Sequence, residues 1–224
     1  LSKYWKIPPQ KNASFVAAME DILEVYARPY DKNFPVVCMD ESSMQLIGEV
    51  HEPIPAAPGH PVLMDDEYIR KGVASIFMEV EPLGGKRNVK ITERRTRIDW
   101  AEFIKEMLEI RYPNAKKVVL VMDNLNTHDM ASLYVAFSPE KARHLAERLE
   151  VHYTPKHGSW LNIAEIELSV LKRQCLTGRI DCIEVMRSEV AAWNEDRNNR
   201  HKNVDWQFKT KDARIKLKHL YPKF

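Results

Sequence analysis

The chain has 224 residues, 44% of them hydrophobic and 29% charged, with a formal net charge of +2. That is ample apolar material for one large domain with a core, and no apolar run approaches the length that spans a bilayer. No signal-peptide pattern opens the chain, so an intracellular setting is expected. Cys38, Cys175 and Cys182 form no CxxC pair and read as reduced thiols, with Cys38 in the core. His152, His157, Cys175 and Cys182 fit no usual zinc spacing. The chain begins at Leu1, which reads as a fragment of something longer.

Residues 13–27 place Phe15, Met19, Ile22, Leu23 and Tyr26 at helical spacing. Arg28-Pro29-Tyr30-Asp31 ends that helix. The run Pro35-Val36-Val37-Cys38-Met39 then reads as a central strand covered on both faces, with Asp40 at its end. Glu41 would point to the opposite face by strand alternation and is not counted as a ligand. Residues 42–71 read as a loop, with Pro53, Pro55, Pro58 and Pro61 in quick succession. Val73–Val80 and Asn88–Thr96, joined by Pro82-Leu83-Gly84-Gly85, read as a hairpin. A helix over 99–111 precedes a second valine-rich run, Val118–Met122, closed by Asp123. A helix over 139–150 precedes a short strand, Val151–Thr154, which breaks at Pro155. Helices over 183–198 and 210–219 complete the chain.

Between the last strand and those helices lies Pro155-Lys156-His157-Gly158-Ser159-Trp160-Leu161-Asn162, which leads into a helix capped by Asn162. Glu165, three residues on, fits a capping box. At about 100° per residue, Leu161, Ala164, Leu168 and Leu171 share one apolar face, and Ile163, Ile166 and Val170 a second. Glu167 falls between them. Glu165 shares the polar side with Ser169 and Lys172, so this helix presents a carboxylate toward whatever lies above the preceding strand. No G-x-S-x-G elbow, P-loop or G-x-G-x-x-G is present.

Three blocks, CMDE (38–41), VMDNLNTH (121–128) and PKHGSWLNIAEIE (155–167), resemble the catalytic blocks of DDE transposases. The likeness is to the bacterial insertion-sequence branch of the mariner-like superfamily, where the third acid follows a Leu-Asn pair as Glu165 follows Leu161-Asn162. It extends to WKIPPQKNASFVAAMEDILEVYARPYD near the start and DWQFKTKDARIKLKHLYP near the end. Relatives often carry a Ser-Pro-Asp loop where this chain has His157-Gly158-Ser159-Trp160, which keeps Glu167 as a second candidate for the third acid.

The resemblance implies an α/β, ribonuclease H-like fold: a mixed five-stranded sheet flanked by helices, with an N-terminal helix and a C-terminal helical extension. The order strand, hairpin, helix, strand, helix, strand, helix agrees with it. The implied divisions are a helical lead-in (1–34), the catalytic domain (35–176) and a basic extension of the same domain (177–224). The implied activity is cleavage and strand transfer of a mobile DNA element, with Asp40, Asp123 and Glu165 holding two Mg²⁺ or Mn²⁺ ions. In this scheme Asp40 bridges the ions, and Asn124, His128 and Glu167 are accessory candidates. The alternatives are another metal-dependent nuclease of the same fold and a catalytically dead DNA-binding remnant.

DNA, as transposon ends and target, is the expected partner, with the chain a homodimer on DNA, in a prokaryotic cytoplasm at the nucleoid. Relatives carry helix-turn-helix domains before the catalytic domain, and this chain reaches its first catalytic strand by residue 35, so it reads as lacking its end-binding domain. Charge supports DNA: residues 172–224 hold thirteen Lys or Arg against seven Asp or Glu, and residues 86–97 hold six against one. Lys86, Arg87, Lys90, Arg94, Arg95, Arg97, Lys156, Lys172 and Arg173 are the candidate phosphate contacts.

Overall fold

The computed structural model describes residues 12–63, 65–125 and 129–222. Its strands are β1 (Val36–Glu49), β2 (Tyr68–Glu81), β3 (Lys86–Thr92), β4 (Val118–Met122) and β5 (Leu149–Tyr153). Its α-helices are α1 (Ala13–Tyr26), α2 (Arg97–Glu106), α3 (Ala131–Ala136), α4 (Pro139–Glu147), α5 (Ile163–Gln174), α6 (Ile183–Asn199) and α7 (Thr210–Lys216). The strands form one sheet in the order β3-β2-β1-β4-β5. The β1–β2 and β2–β3 pairs are antiparallel, while β1–β4 and β4–β5 are parallel. This is the ribonuclease H-like arrangement expected from the element order. No helix among the described residues is long and apolar enough to cross a membrane.

Helices cover both faces of the sheet, and strand alternation sorts the core between them. Cys38, Val119 and Val121 pack with α1, α5, α6 and α7. Val37, Met39, Val118, Leu120 and Met122 pack with α2 and residues of α3 and α4. Helix α1 buries Phe15, Met19, Ile22, Leu23 and Val25, each such side chain contributing roughly 1.5–3 kcal/mol when fully buried. The lead-in helix and the C-terminal helices therefore share one core with the sheet.

Several expectations are corrected. Asp40 does not end its strand: β1 runs on to Glu49, and residues 42–49 and 68–71 are ladder rather than loop. Ser42, Ser43, Gln45 and Gly48 have weak strand preference, but pairing through to Glu49 and Tyr68 overrides it. The four prolines fall in 50–67, the true connection. β3 stops at Thr92, because Thr96 starts α2 with a capping box to Asp99. The end of the helix expected over 99–111 is a π-helical turn, Met107–Arg111. Helix α3 was not anticipated, and β5 begins two residues earlier than expected. Ile166 is 44% exposed, so the second apolar face of α5 is only partly covered.

Glu167 is a buried ion-pair centre. Arg87 of β3 reaches it at 2.9 and 3.3 Å, and Arg197 of α6 at 2.8 and 3.1 Å. Arg87 also donates to the carbonyls of Gly85 and Lys202. Helix α5 is thereby tied to β3 and α6 by fully used charges. Burial pushes the Glu167 carboxyl up, but the hydrogen bonds from Arg197 and Arg87 outweigh it and hold it below the ordinary carboxylate value. A depressed folded value means that the pair stabilises above the unfolded pKa, about 4.3, and that this contribution is lost as pH falls through the folded one. Thermal unfolding of the native chain is expected to fall more steeply below pH 4 than that of Glu167→Gln. Parallel pH profiles would remove this role from Glu167.

Candidate active site

The site is built where β1 outruns β4. The parallel register pairs Cys38 with Val121, and carrying it two residues further sets Asp40 level with Asp123. Asp40 follows the parity of Cys38, and Asp123 that of Val119 and Val121. Both acids therefore belong to the sheet face that α5 covers.

The chain reaches α5 through a tightly bonded loop. Thr154 N–H donates to Met122 O at 2.9 Å, extending β5 beside β4. Gly158 N–H donates to Pro155 O at 2.7 Å, and Leu161 N–H to Gly158 O at 2.9 Å. A Cβ at Gly158 would stand 2.5 Å from Pro155 Cγ and 2.9 Å from Pro155 O, so only glycine fits there. His157 takes the left-handed conformation, φ 66°. The buried Tyr26 hydroxyl, 3.3 Å from Cys38 Sγ, donates to Leu161 O at 2.6 Å and pins the loop to α1. Asn162 then caps α5, its Oδ1 accepting from Ala164 N–H at 3.1 Å.

Glu165 lies in the first turn of α5. The expected capping box does not form, since Asn162 N–H donates instead to Ser159 O at 2.8 Å. Glu165 Oε2 is shielded from solvent and has no hydrogen-bond partner among the described residues. One open cleft is lined by Asp40, Glu41, Ser42, Asp123, Thr154, Ser159, Asn162, Glu165, Leu168, Ser169 and Lys172. The three acids singled out in the sequence thus border one cavity. They are not drawn into a finished ligand set: among the described residues no group of three or more His, Cys, Asp or Glu could hold an ion as it stands. Like charges repel across such a cleft.

These acids sit on the fold expected for them, and the family model described as DDE superfamily endonuclease matches residues 35–187. The chain belongs to the DDE superfamily endonucleases. Among solved structures, the DDE chain resembles the Mos1 mariner paired-end complex with Mn (16% identity, TM-score 0.56, 90% of this chain and 62% of that one). It also resembles the Mos1 paired-end complex with the left transposon end (14%, TM-score 0.59, 90% and 61%) and the Mos1 strand transfer complex (13%, TM-score 0.56, 90% and 62%). At these identities the likeness is one of fold. The DDE chain spans less than two thirds of the length of these Mos1 chains. No curated protein matches it in sequence.

Glu41 departs from expectation, since it borders the cleft beside Asp40. β1 has no β4 neighbour beyond Cys38, so its open edge brings both faces of the strand to the cavity. The Glu41 carboxylate pairs with Arg95 at 3.4 Å. Ser42 was missed because its segment read as loop; its Oγ accepts from Lys172 Nζ at 2.5 Å.

Of the basic candidates, Lys86, Arg94, Arg95, Arg97, Lys156, Lys172 and Arg173 are exposed. Lys90 is engaged by Glu106. Arg87 is removed from the phosphate set, being buried and committed to Glu167. Glu167 likewise faces its two arginines and does not line the cleft. Asn124 lines an adjoining cavity that shares Asp123, Thr154 and Ser159 with the cleft and continues past Lys156 toward Phe15. His128 lies outside the described residues.

Proposed function

We propose that this chain is the catalytic part of a transposase, cutting DNA at the ends of a mobile element and joining the freed 3′ ends to a target. The observation that carries this reading is the meeting of Asp40, Asp123 and Glu165 at one open cleft in a chain of the DDE endonuclease family. A pair of divalent cations, Mg²⁺ or Mn²⁺, is assigned to these acids. The donor set fits: oxygen ligands suit a hard cation, and Glu165 Oε2 is a sheltered carboxylate oxygen with no partner among the described residues. Two ions bound there would activate water or a 3′-hydroxyl and stabilise the leaving oxygen.

The protein's own part is positioning. Asp40, level with Asp123 in the parallel register and bonded to Asn162 at the start of the helix that carries Glu165, would hold metal together with those two acids. Lys172, two turns beyond Glu165 on the same helix side, and Arg95, at Glu41, set positive charge along the cleft for a phosphate backbone. The Mos1 structures include paired-end complexes with Mn and with Mg and one with the left transposon end. They support DNA as substrate and divalent metal as cofactor, and a homodimer on DNA is part of the same reading. Incubation with a 3′-hydroxyl donor duplex and Mn²⁺ should yield joined products. Nicking without joining would mark a nuclease instead, and no metal-dependent product would overturn the enzymatic reading.

Arg94, Arg95 and Arg97 stand exposed between β3 and α2. Replacing all three with alanine is expected to weaken duplex binding and lower the slope of log K against log salt by up to about 2.7, near 0.9 per lost phosphate contact. An unchanged slope would assign the contact to the C-terminal basic segment.

A further inference from the structure

Asn162 does more than cap a helix. Its side chain is almost fully buried, and its amide is used on both sides. Oδ1 accepts from Ala164 N–H at 3.1 Å, while Nδ2 donates to Met39 O at 2.9 Å and to Asp40 Oδ2 at 3.3 Å. The orientation of the amide follows from these partners. Turned over, it would set its oxygen against a carbonyl and a carboxylate and its NH₂ against an N–H. One planar group therefore joins the first turn of α5, where Glu165 sits, to the Met39 carbonyl and to the carboxylate of the first acid. A cap alone needs only the oxygen. Serine, threonine and aspartate would supply that as well, so the cap leaves the two donated bonds unexplained.

We propose that Asn162 is a positioning residue: its NH₂ group holds the Asp40 carboxylate in one orientation and in register with Glu165, arranging two of the three acids before a cation arrives. This rests on the reading of the cleft as a divalent-metal site. The Asp40 oxygen that receives the amide is turned toward α5. A hydrogen-bonded carboxylate of this kind loses less rotational freedom when a cation binds, and the partner that orients it matters almost as much as the ligand itself. The backbone of Asn162 adds to the frame: its N–H donates to Ser159 O and its carbonyl accepts from Glu165 N–H at 3.2 Å.

The test separates cap from donor. Asn162→Ser keeps a capping oxygen, adds no charge, and is too short to reach Met39 O and Asp40. Mn²⁺ binding is measured by the loss of the free-ion paramagnetic resonance signal, with thermal unfolding of the metal-free protein in parallel. Asp40→Asn serves as the reference for a lost ligand. The expected result is a Mn²⁺ affinity about ten- to a hundredfold weaker in Asn162→Ser, with an unfolding midpoint several degrees lower at most, since the Met39 carbonyl loses its buried donor. The Mn²⁺ concentration for half-maximal cleavage should rise in step, and excess metal should restore most of the rate. Native Mn²⁺ affinity in Asn162→Ser, with weakened binding in Asp40→Asn, would overturn the positioning role and leave the metal site standing. Native affinity in both would overturn the site itself. Should serine prevent folding, Asn162→Thr keeps the cap with the same missing donor and is read identically.

Discussion

Glu165→Gln is expected to lower metal-dependent DNA cleavage on the order of a thousandfold or more, a barrier increase of about 4 kcal/mol, with the unfolding midpoint almost unchanged. The substitution keeps size and hydrogen-bonding capacity but removes the charge that draws a cation. Folding is spared because the carboxylate makes no capping box. The Asn162 N–H is already taken by Ser159 O, and the first turn is held through the Asn162 side chain and backbone. Glu165 Oε2 has no hydrogen-bond partner among the described residues to lose. Cleavage at the native rate by this variant would place the third acid elsewhere.

Glu167→Ala is expected to do the reverse. Removing this carboxylate leaves Arg87 buried with its main counter-charge gone and leaves Arg197 without its pair. Breaking one side of a buried pair costs about 3–5 kcal/mol. For a chain of this size that is a fall in the unfolding midpoint on the order of 10 °C. Cleavage assayed well below that midpoint should persist, because Glu167 does not line the cleft. The helical wheel alone, with Glu167 between two apolar faces, predicts at most a modest loss of stability for Glu167→Gln. The two arginines make the expected loss larger, since an amide cannot answer two guanidinium groups. A Glu167→Ala protein that melts like the native chain yet fails to cut would reverse the assignment of the two acids.

The sheet and its order were legible because two valine-rich runs can only be central strands, and the hairpin and crossovers then leave few topologies. Asp40 and Asp123 were legible for the same reason, as the acids that close those two apolar runs. Glu165 could be separated from Glu167 by the helical wheel, which set one on the polar side and the other between apolar faces. The wheel did not show why Glu167 tolerates burial. Its partners, Arg87 and Arg197, lie 80 and 30 residues away in sequence, and local periodicity carries no information about such pairs. For that reason Arg87 was grouped with the surface cations of its strand. The long β1–β2 ladder was missed because its weak strand formers are held by each other and not by propensity. Asn162 was legible as a cap, but its bond to Asp40 depends on β1 passing beneath the loop.

The central claim is that Asp40, Asp123 and Glu165 hold divalent metal together. The most direct measurement is a crystal structure of the chain grown with Mn²⁺, with anomalous scattering collected at the manganese edge. Anomalous density is expected in the cleft bounded by Asp40, Asp123 and Glu165, with all three carboxylates turned onto it and Asn162 still donating to Asp40. Manganese bound elsewhere with these acids unmoved, or no manganese at a concentration that supports cleavage, would contradict the claim.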